Sequence, residues 1–170
     1  MSDSVTTCPT ESVYPTKGEK SMQSNYRNIC KIARAATSQS QERFAEMIGV
    51  SYDAVRQYEA GIIMPSDEVV TSMIEVSGMR VLGYWHLLNK SRVASDLLPE
   101  VERLSLPQAV IQLILRVQEF DRRHRSQDLM QIAQDGRIDP KEREIYDQIV
   151  DELEVIVQAA MQLKFAKPDE

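Results

Sequence analysis

The chain has 170 residues, of which 42 % are hydrophobic, and a formal net charge of −6. This length fits one or two small domains, each with a core. No run approaches the roughly 18 apolar residues of a membrane span, and the N-terminus has no positive region followed by an apolar one, as a secretion signal would. Cys8 and Cys30 have no metal-ligand partners nearby in the sequence, which argues against a zinc site or a disulfide framework. The composition predicts a cytoplasmic protein without a cofactor.

Residues 1–23 are rich in Ser, Thr and Pro and poor in apolar side chains, which predicts a disordered tail. From residue 24 to residue 89, the spacing of apolar residues predicts a domain of five helices. Their predicted spans are 25–36, 41–48, 52–60, 66–78 and 81–89. We expect Tyr84 and Trp85 in the core or at the seam with the next part of the chain, and no catalytic or metal-binding role for His86.

The second and third helices form a pair joined by a tight turn. Ser40 and Ser51 are predicted N-caps, and Gly49 supplies the left-handed conformation that a sharp turn requires. The third helix turns a polar strip outward. On the second helix of such a pair, a strip of this kind is what a protein needs to read base edges in the major groove. The strip consists of Tyr52, Asp53, Arg56 and Gln57.

The segments SQERFAEMIGVS, the YE of VRQYEAG and the later PS follow one another without a gap. Together they resemble the helix-turn-helix of the phage-repressor (Xre/Cro) family over about residues 25–88. The resemblance implies that the domain binds double-stranded DNA. It also implies a role for each matching residue: a backbone-phosphate contact for Gln41, base reading for Tyr52, Asp53 and Gln57, phosphate or sugar contacts for Ser51 and Arg56, and an internal salt bridge between Arg34 and Glu59.

Three departures from the family pattern leave a second interpretation open. The segment after the third helix, usually rich in Lys or Arg, is Ile62-Ile63-Met64 here, and the carboxylate of Asp53 occupies a reading position. Gln39 also replaces the apolar residue that usually ends the first helix. Residues 24–88 carry six Lys or Arg against seven Asp or Glu. The domain could therefore be a protein-binding remnant of an older DNA-binding domain.

Residues 90–106 are predicted to be a connector, punctuated by Pro99 and Pro107. Residues 107–166 are predicted to form two long helices in an antiparallel hairpin, the first from Pro107 to about Gln134 and the second to about Phe165. Asp139 is the predicted N-cap of the second helix, and Glu142 completes a capping box. The turn also resembles half of a calcium loop, but the positions that should carry carboxylates are Gln131 and Ala133, so no metal site is predicted.

A two-helix hairpin has too little interior to bury two apolar stripes. We expect it to pack on the N-terminal domain, on Leu97-Leu98 or on a second copy of the chain. The LPQAV and DGRID segments are loosely similar to C-terminal regions of phage lysogeny-type regulators, which implies oligomerisation. The basic run from Arg122 to Arg125 is predicted to be a solvated face, with an approach to flanking DNA or to a partner as the alternative.

The sequence thus predicts an all-α protein: a five-helix repressor-like DNA-binding domain followed by a long antiparallel helical hairpin. The predicted function is a sequence-specific transcriptional regulator, a repressor that binds a two-fold operator as a homodimer. The alternative is a protein-interaction regulator, antitoxin-like or a phage-regulatory adaptor, that acts mainly through its C-terminal helices. No catalytic residue is predicted, because the chain has no Ser/His/Asp set, glycine-rich phosphate loop or metal cluster.

Overall fold

A computed structural model describes residues 28–167, so the predicted tail over 1–23 lies outside it. The described part is helical, which confirms the all-α prediction, and its one β-type pairing is an isolated bridge between Ser105 and Lys167. The helices are α1 (Ile29–Thr37), α2 (Gln41–Ile48), α3 (Tyr52–Glu59), α4 (Asp67–Ser77), α5 (Val81–Lys90), α6 (Arg92–Leu97), α7 (Leu106–Arg122), α8 (Arg125–Ile132) and α9 (Arg143–Lys164).

Local sequence chemistry sets the ends of α2, α3 and α4. The side chains of Ser40, Ser51 and Ser66 each accept a hydrogen bond from a backbone N–H in the first turn of the helix that follows. Gly49 has a φ of 71°, in the left-handed region that glycine enters without a steric penalty. This residue turns the chain between α2 and α3, and so fixes the direction of α3 relative to α2.

Helices α1 to α5 surround one hydrophobic core. Its largest fully buried side chains include Ile29, Phe44, Val55, Met73 and Leu82. Cys30 is also buried there, and desolvation by burial raises the pKa of its thiol to about 12. The thiol therefore stays protonated at neutral pH and acts as a small apolar core residue.

The segment predicted as a connector contains a short helix, α6, followed by residues without regular secondary structure. Ser91 caps α6, and its side chain accepts a hydrogen bond from Ala94 N–H. Beyond α6, the Tyr84 hydroxyl donates to Pro99 O at 2.5 Å, and Trp85 Nε1 donates to Val101 O at 2.8 Å. The polar ends of the two aromatic side chains therefore hold the connector against α5.

The first helix of the predicted hairpin is broken into α7 and α8, so the prediction of one continuous helix from Pro107 to Gln134 is wrong. The break falls at His124, whose φ is 58°. In a continuous α-helix, residues two apart point about 200° away from each other. The break lets both Arg123 and Arg125 reach the same carboxylate, that of Glu152 on α9, at 2.9 and 2.8 Å.

Helix α9 runs antiparallel to α7 and returns the chain to the N-terminal domain. The two hydrogen bonds of the predicted capping box are present, since Asp139 N–H donates to the Glu142 carboxylate and Glu142 N–H donates to the Asp139 carboxylate. The helix itself begins later than predicted, at Arg143, so its N-cap is Glu142 and not Asp139. At the far end, the Phe165 ring lies 5.6 Å from that of Tyr84, and Met161 packs against the core. Gln158 Nε2 also donates to Glu100 O at 2.7 Å. The C-terminal end of α9 is thus docked on the five-helix domain.

Candidate nucleic-acid interface

Helix α3 presents one side to the core and the other to solvent. Val55 is fully buried, and Tyr58 packs against the core beside it. Every member of the predicted polar strip except Gln57 is exposed, and Gln57 is half-buried. The Ser51 hydroxyl is exposed too, but it caps α3 by accepting from Ala54 N–H at 3.1 Å. The outward face of α3 therefore carries the predicted reading residues in one row.

Two of the strip's side chains are charged, and they interact with each other. Arg56 Nη1 lies 3.5 Å from Asp53 Oδ1, and the Arg56 guanidinium lies 5.8 Å from the centre of the Tyr52 ring. Both distances are within the range of a weak surface ion pair and a cation–π contact. The negative charge of Asp53 is thus partly neutralised on α3 itself, which reduces its repulsion of a nearby phosphate.

Glu59, at the C-terminal end of α3, joins three helices. Its Oε1 accepts from Arg34 Nε at 2.6 Å, and its Oε2 accepts from Gln41 Nε2 at 2.7 Å. Burial raises the pKa of the Glu59 carboxyl, but the hydrogen bonds from Arg34 and Gln41 outweigh this effect and hold it below its ordinary value. The carboxylate stays ionised and fastens α1 and α2 to the end of α3.

Two further contacts at this junction could not be predicted from the sequence. Asn28 Nδ2 donates to the backbone oxygens of both Tyr58 and Glu59, at 3.1 and 2.7 Å. It therefore satisfies two backbone acceptors at the C-terminal end of α3. Arg34 Nη1 donates to Gln39 O at 3.1 Å. These partners are far apart along the chain or involve backbone atoms, so no local motif signals them.

An open depression of about 500 Å³ lies beside the outward face of α3. Its wall includes Gln41 from α2 and Asp53, Arg56 and Gln57 from α3. Ile62 also lines it, and its side chain is 73 % exposed. The predicted phosphate-binding residue and two of the predicted base-reading residues therefore line one concave surface.

A family model described as helix-turn-helix matches residues 30–78 of the chain. The chain carries a helix-turn-helix domain of the Xre/Cro type. This confirms the predicted resemblance, and a domain of this type supports a DNA-binding transcriptional regulator. Searches of curated proteins and of solved structures each found no match. The matched range holds α1, apart from its first residue, through α4, and α5 and the C-terminal helices lie beyond it.

Outside the helix-turn-helix surface, the basic run from Arg122 to Arg125 is exposed at Arg122, Arg123 and His124, as predicted, but not at Arg125. The side chain of Arg125 is only 12 % exposed and bonds to Glu152, so the prediction of a solvated face is wrong for this residue. Arg123 bonds to both Glu119 and Glu152. The hydrogen bonds from Arg125 lower the pKa of the Glu152 carboxyl, with burial opposing them and Arg123 adding to them. Within this run, Arg123 and Arg125 therefore join the α7–α8 junction to α9.

His86 is buried in the helix-turn-helix domain and pairs with the first residue of α4. Its Nε2 lies 2.8 Å from Asp67 Oδ1, which also accepts from Lys90 Nζ at 2.7 Å. The hydrogen bonds from Lys90 and then from His86 lower the pKa of the Asp67 carboxyl. The three side chains join α4 to α5. Because Asp67 is far from the other two residues along the chain, this contact could not be predicted from the sequence.

Within residues 28–167, no cluster of three or more His, Cys, Asp or Glu side chains has an arrangement that could hold a metal ion. In the same range, no helix is both long enough and apolar enough to cross a membrane.

Proposed function

We propose that the protein is a transcriptional repressor that binds a two-fold operator in double-stranded DNA as a homodimer. The observation that carries the proposal is the outward row of polar side chains on α3. The opposite side of that helix is fixed by the buried Val55 and by the Glu59 junction. A rigid helix with an exposed polar face meets the geometric requirement for reading base edges in the major groove.

In this proposal the side chains divide into two groups. Ser51, Gln41 and Arg56 contact the phosphodiester backbone and set the register of the helix on the duplex. The amide nitrogen of Gln41 carries two hydrogens. One is donated to Glu59, and the other is available to a phosphate oxygen.

Tyr52, Asp53 and Gln57 read the bases. The Gln57 amide suits the paired donor and acceptor of adenine, and the Asp53 carboxylate suits the amino group of cytosine. Because Arg56 lies close to Asp53, the same part of α3 offers an acceptor and a donor side by side. Repression then requires only that the occupied operator overlap a promoter.

The electrostatic part of the binding should be modest and sensitive to salt. The helix-turn-helix region has nearly equal numbers of acidic and basic residues, so few phosphates are neutralised by one copy. A dimer doubles both the phosphate contacts and the base contacts, and its two-fold axis matches a two-fold operator. Dimerisation therefore supplies the affinity that a single near-neutral domain lacks.

The test is selection from a randomised duplex-DNA pool, followed by sequencing and a salt titration of the selected site. We expect a two-fold motif with half-sites about one helical turn apart. Gln57→Ala should then weaken binding by about 1–3 kcal/mol, whereas Gln127→Ala on α8 should leave it unchanged. A pool without an enriched motif, or a Gln57→Ala variant with full affinity, would contradict the proposal.

A second candidate function is that of a protein-interaction regulator, and exposed apolar side chains favour it. Ile62, Ile63 and Met64 follow α3 directly and are all exposed, at the place where the family usually has basic residues. Exposed apolar clusters tend to mark partner-binding surfaces. A stoichiometric protein partner, together with a DNA pool that shows no enrichment, would favour this function over operator binding.

A further inference from the structure

Helix α7 has an apolar side chain on nearly every face. Ala109, Leu113 and Phe120 share the less exposed side of the helix, and α7 packs along α9. On the opposite side, Ile111, Ile114 and Leu115 are 57, 49 and 58 % exposed. A helix that is apolar all round is normally buried all round. One side of α7 is therefore covered by its own chain, and the other side lacks a cover within residues 28–167.

We propose that this outward face, made of Ile111, Ile114 and Leu115, binds the same face of a second copy of the chain. The proposal states how the dimer of the proposed function forms, and its biological role rests on that function. It specifies the surface, the partner and the relative direction of the two helices. Its physical basis is the pattern of charge around the three residues.

The segment from Leu104 to Leu115 contains no charged residue, although the chain as a whole has a net charge of −6. In a two-fold interface the same patch of both copies meets, so a patch with one predominant charge would place like charges together. An uncharged apolar patch avoids this repulsion. A partner recognised by opposite charge would instead require a charged patch here, so the pattern favours a second copy.

The charge pattern also sets the direction of the pair. Residues 116–125 carry four arginines and two acidic residues, whereas the N-terminal half of α7 is uncharged. A parallel pair would bring the two arginine-rich ends together. An antiparallel pair that crosses between Ile114 and Leu115 places each arginine-rich end beside the uncharged end of its partner. It also places Ile111 of one copy opposite Gln118 of the other.

The docked end of α9 gives this surface a consequence for DNA binding. The Phe165 ring packs against that of Tyr84 in a tilted arrangement. Leu106 N–H donates to Lys167 O, and Lys167 N–H donates to Leu104 O, each at 3.0 Å. The start of α7 is therefore held against the helix-turn-helix domain. When two copies pair through α7, the distance between their two α3 helices is fixed by the fold, and with it the spacing of the half-sites.

Sedimentation velocity on the full-length chain tests the surface. We expect a dimer for the wild-type protein, and a loss of dimer affinity of at least about 100-fold for Leu115→Glu, because two leucines and their neighbours lose an apolar interface. Val93→Glu, at an exposed position on α6, introduces the same charge and should leave the dimer intact. Circular dichroism checks that each variant folds. A dimer that persists in Leu115→Glu, or a wild-type monomer, would overturn the proposal.

Cysteine crosslinking in a Cys8→Ser background tests the direction, since Cys30 is buried. Gln118→Cys should crosslink to Ile111→Cys of the other copy but not to itself, because in this antiparallel pair the two Gln118 positions lie about 10 Å apart along the helix axis, too far for a disulfide. Met130→Cys on α8 is the exposed control and should form no crosslink. Self-crosslinking of Gln118→Cys would overturn the antiparallel arrangement.

DNA selection with the same proteins separates this proposal from the proposed function. A wild-type monomer that selects a single half-site would refute the α7 surface and leave base reading by α3 in place. A dimer lost in Leu115→Glu, combined with a DNA pool that shows no enrichment, would support the α7 surface and refute operator binding.

Discussion

Gln41 and Glu59 are joined by a hydrogen bond of 2.7 Å between the Gln41 amide nitrogen and Glu59 Oε2. The bond connects the first residue of α2 to the last residue of α3, and Glu59 also holds Arg34 of α1. The side chain proposed to bind a phosphate is therefore positioned by a carboxylate to which our proposal assigns no DNA contact. A change at Glu59 should affect both the stability of the domain and its affinity for DNA.

The first prediction concerns Glu59→Gln. The variant loses the charge that pairs with the partly buried Arg34, so we expect the free energy of unfolding at pH 7 to fall by about 1–3 kcal/mol. Operator affinity should also fall, because Gln41 loses its charged acceptor. Chemical denaturation and operator titration measure the two effects. Glu75→Gln, on the exposed side of α4, is the matched control and should change neither quantity.

The same carboxylate predicts a specific dependence of stability on pH. The pKa of Glu59 in the folded protein lies below its ordinary value of 4.5, so its ion pair stabilises the fold fully above that value. This stabilisation is lost as the pH falls below 4.5 through the lowered pKa. The wild-type protein should therefore lose its stability advantage over Glu59→Gln in acid. An advantage that is the same at pH 7 and pH 3 would contradict the role assigned to Glu59.

The helix-turn-helix could be predicted from the sequence because its signals are local. Ser40, Gly49 and Ser51 mark the ends of α2 and α3, and the apolar spacing between them shows which side is buried. The break at His124 could not be predicted in this way. It accompanies an ion pair between Arg125 and Glu152, which are far apart in the sequence, and periodicity alone favours a continuous helix.

The same limit to prediction from the sequence applies to the candidate site. The outward positions of Tyr52, Asp53 and Arg56 follow from helical periodicity, and their exposure in the structure agrees with it. The contacts of Asn28 with the end of α3, and the pairing of His86 with Asp67, follow from how distant segments pack. Neither a propensity nor a spacing rule contains that information.

The second prediction concerns Asp53→Asn. Removing this carboxylate abolishes its ion pair with Arg56 and its repulsion of phosphates, so affinity for random DNA should rise. Preference for the selected base pair should fall, because the acceptor for cytosine is altered. Titration of operator and random duplexes at two salt concentrations measures both. Glu46→Gln, which removes a similar exposed pair with Arg43 on α2, should leave base preference unchanged.

The third prediction concerns Glu152→Gln. This carboxylate bonds to Arg123 and Arg125, and Arg125 is largely buried, so we expect the free energy of unfolding to fall by about 1–3 kcal/mol. Neutralising the exposed neighbour Glu154 should cost much less. Hydrogen exchange should show faster exchange at the α7–α8 junction in Glu152→Gln. Unchanged protection there would mean that the ion cluster does not hold the break at His124.

The fourth prediction concerns Phe165→Ala, which removes the ring that packs against Tyr84. Because Phe165 is only partly buried, we expect a moderate loss of stability, about 1–3 kcal/mol. The larger consequence should be for operator geometry. If α9 holds α7 against the helix-turn-helix domain, the wild-type protein should bind poorly to operators whose half-sites are moved apart or together by one base pair. Phe165→Ala should tolerate those changes better, because the docked end is loosened.

Competition binding with operators of altered spacing measures this tolerance, with affinity for the normal operator as the reference. Leu97→Ala, which truncates an exposed leucine on α6, is the control and should keep the wild-type preference. An equal penalty for altered spacing in the wild type and in Phe165→Ala would show that the Tyr84–Phe165 contact does not set the distance between the two recognition helices. The spacing would then have to be set by another contact between the copies or within each copy.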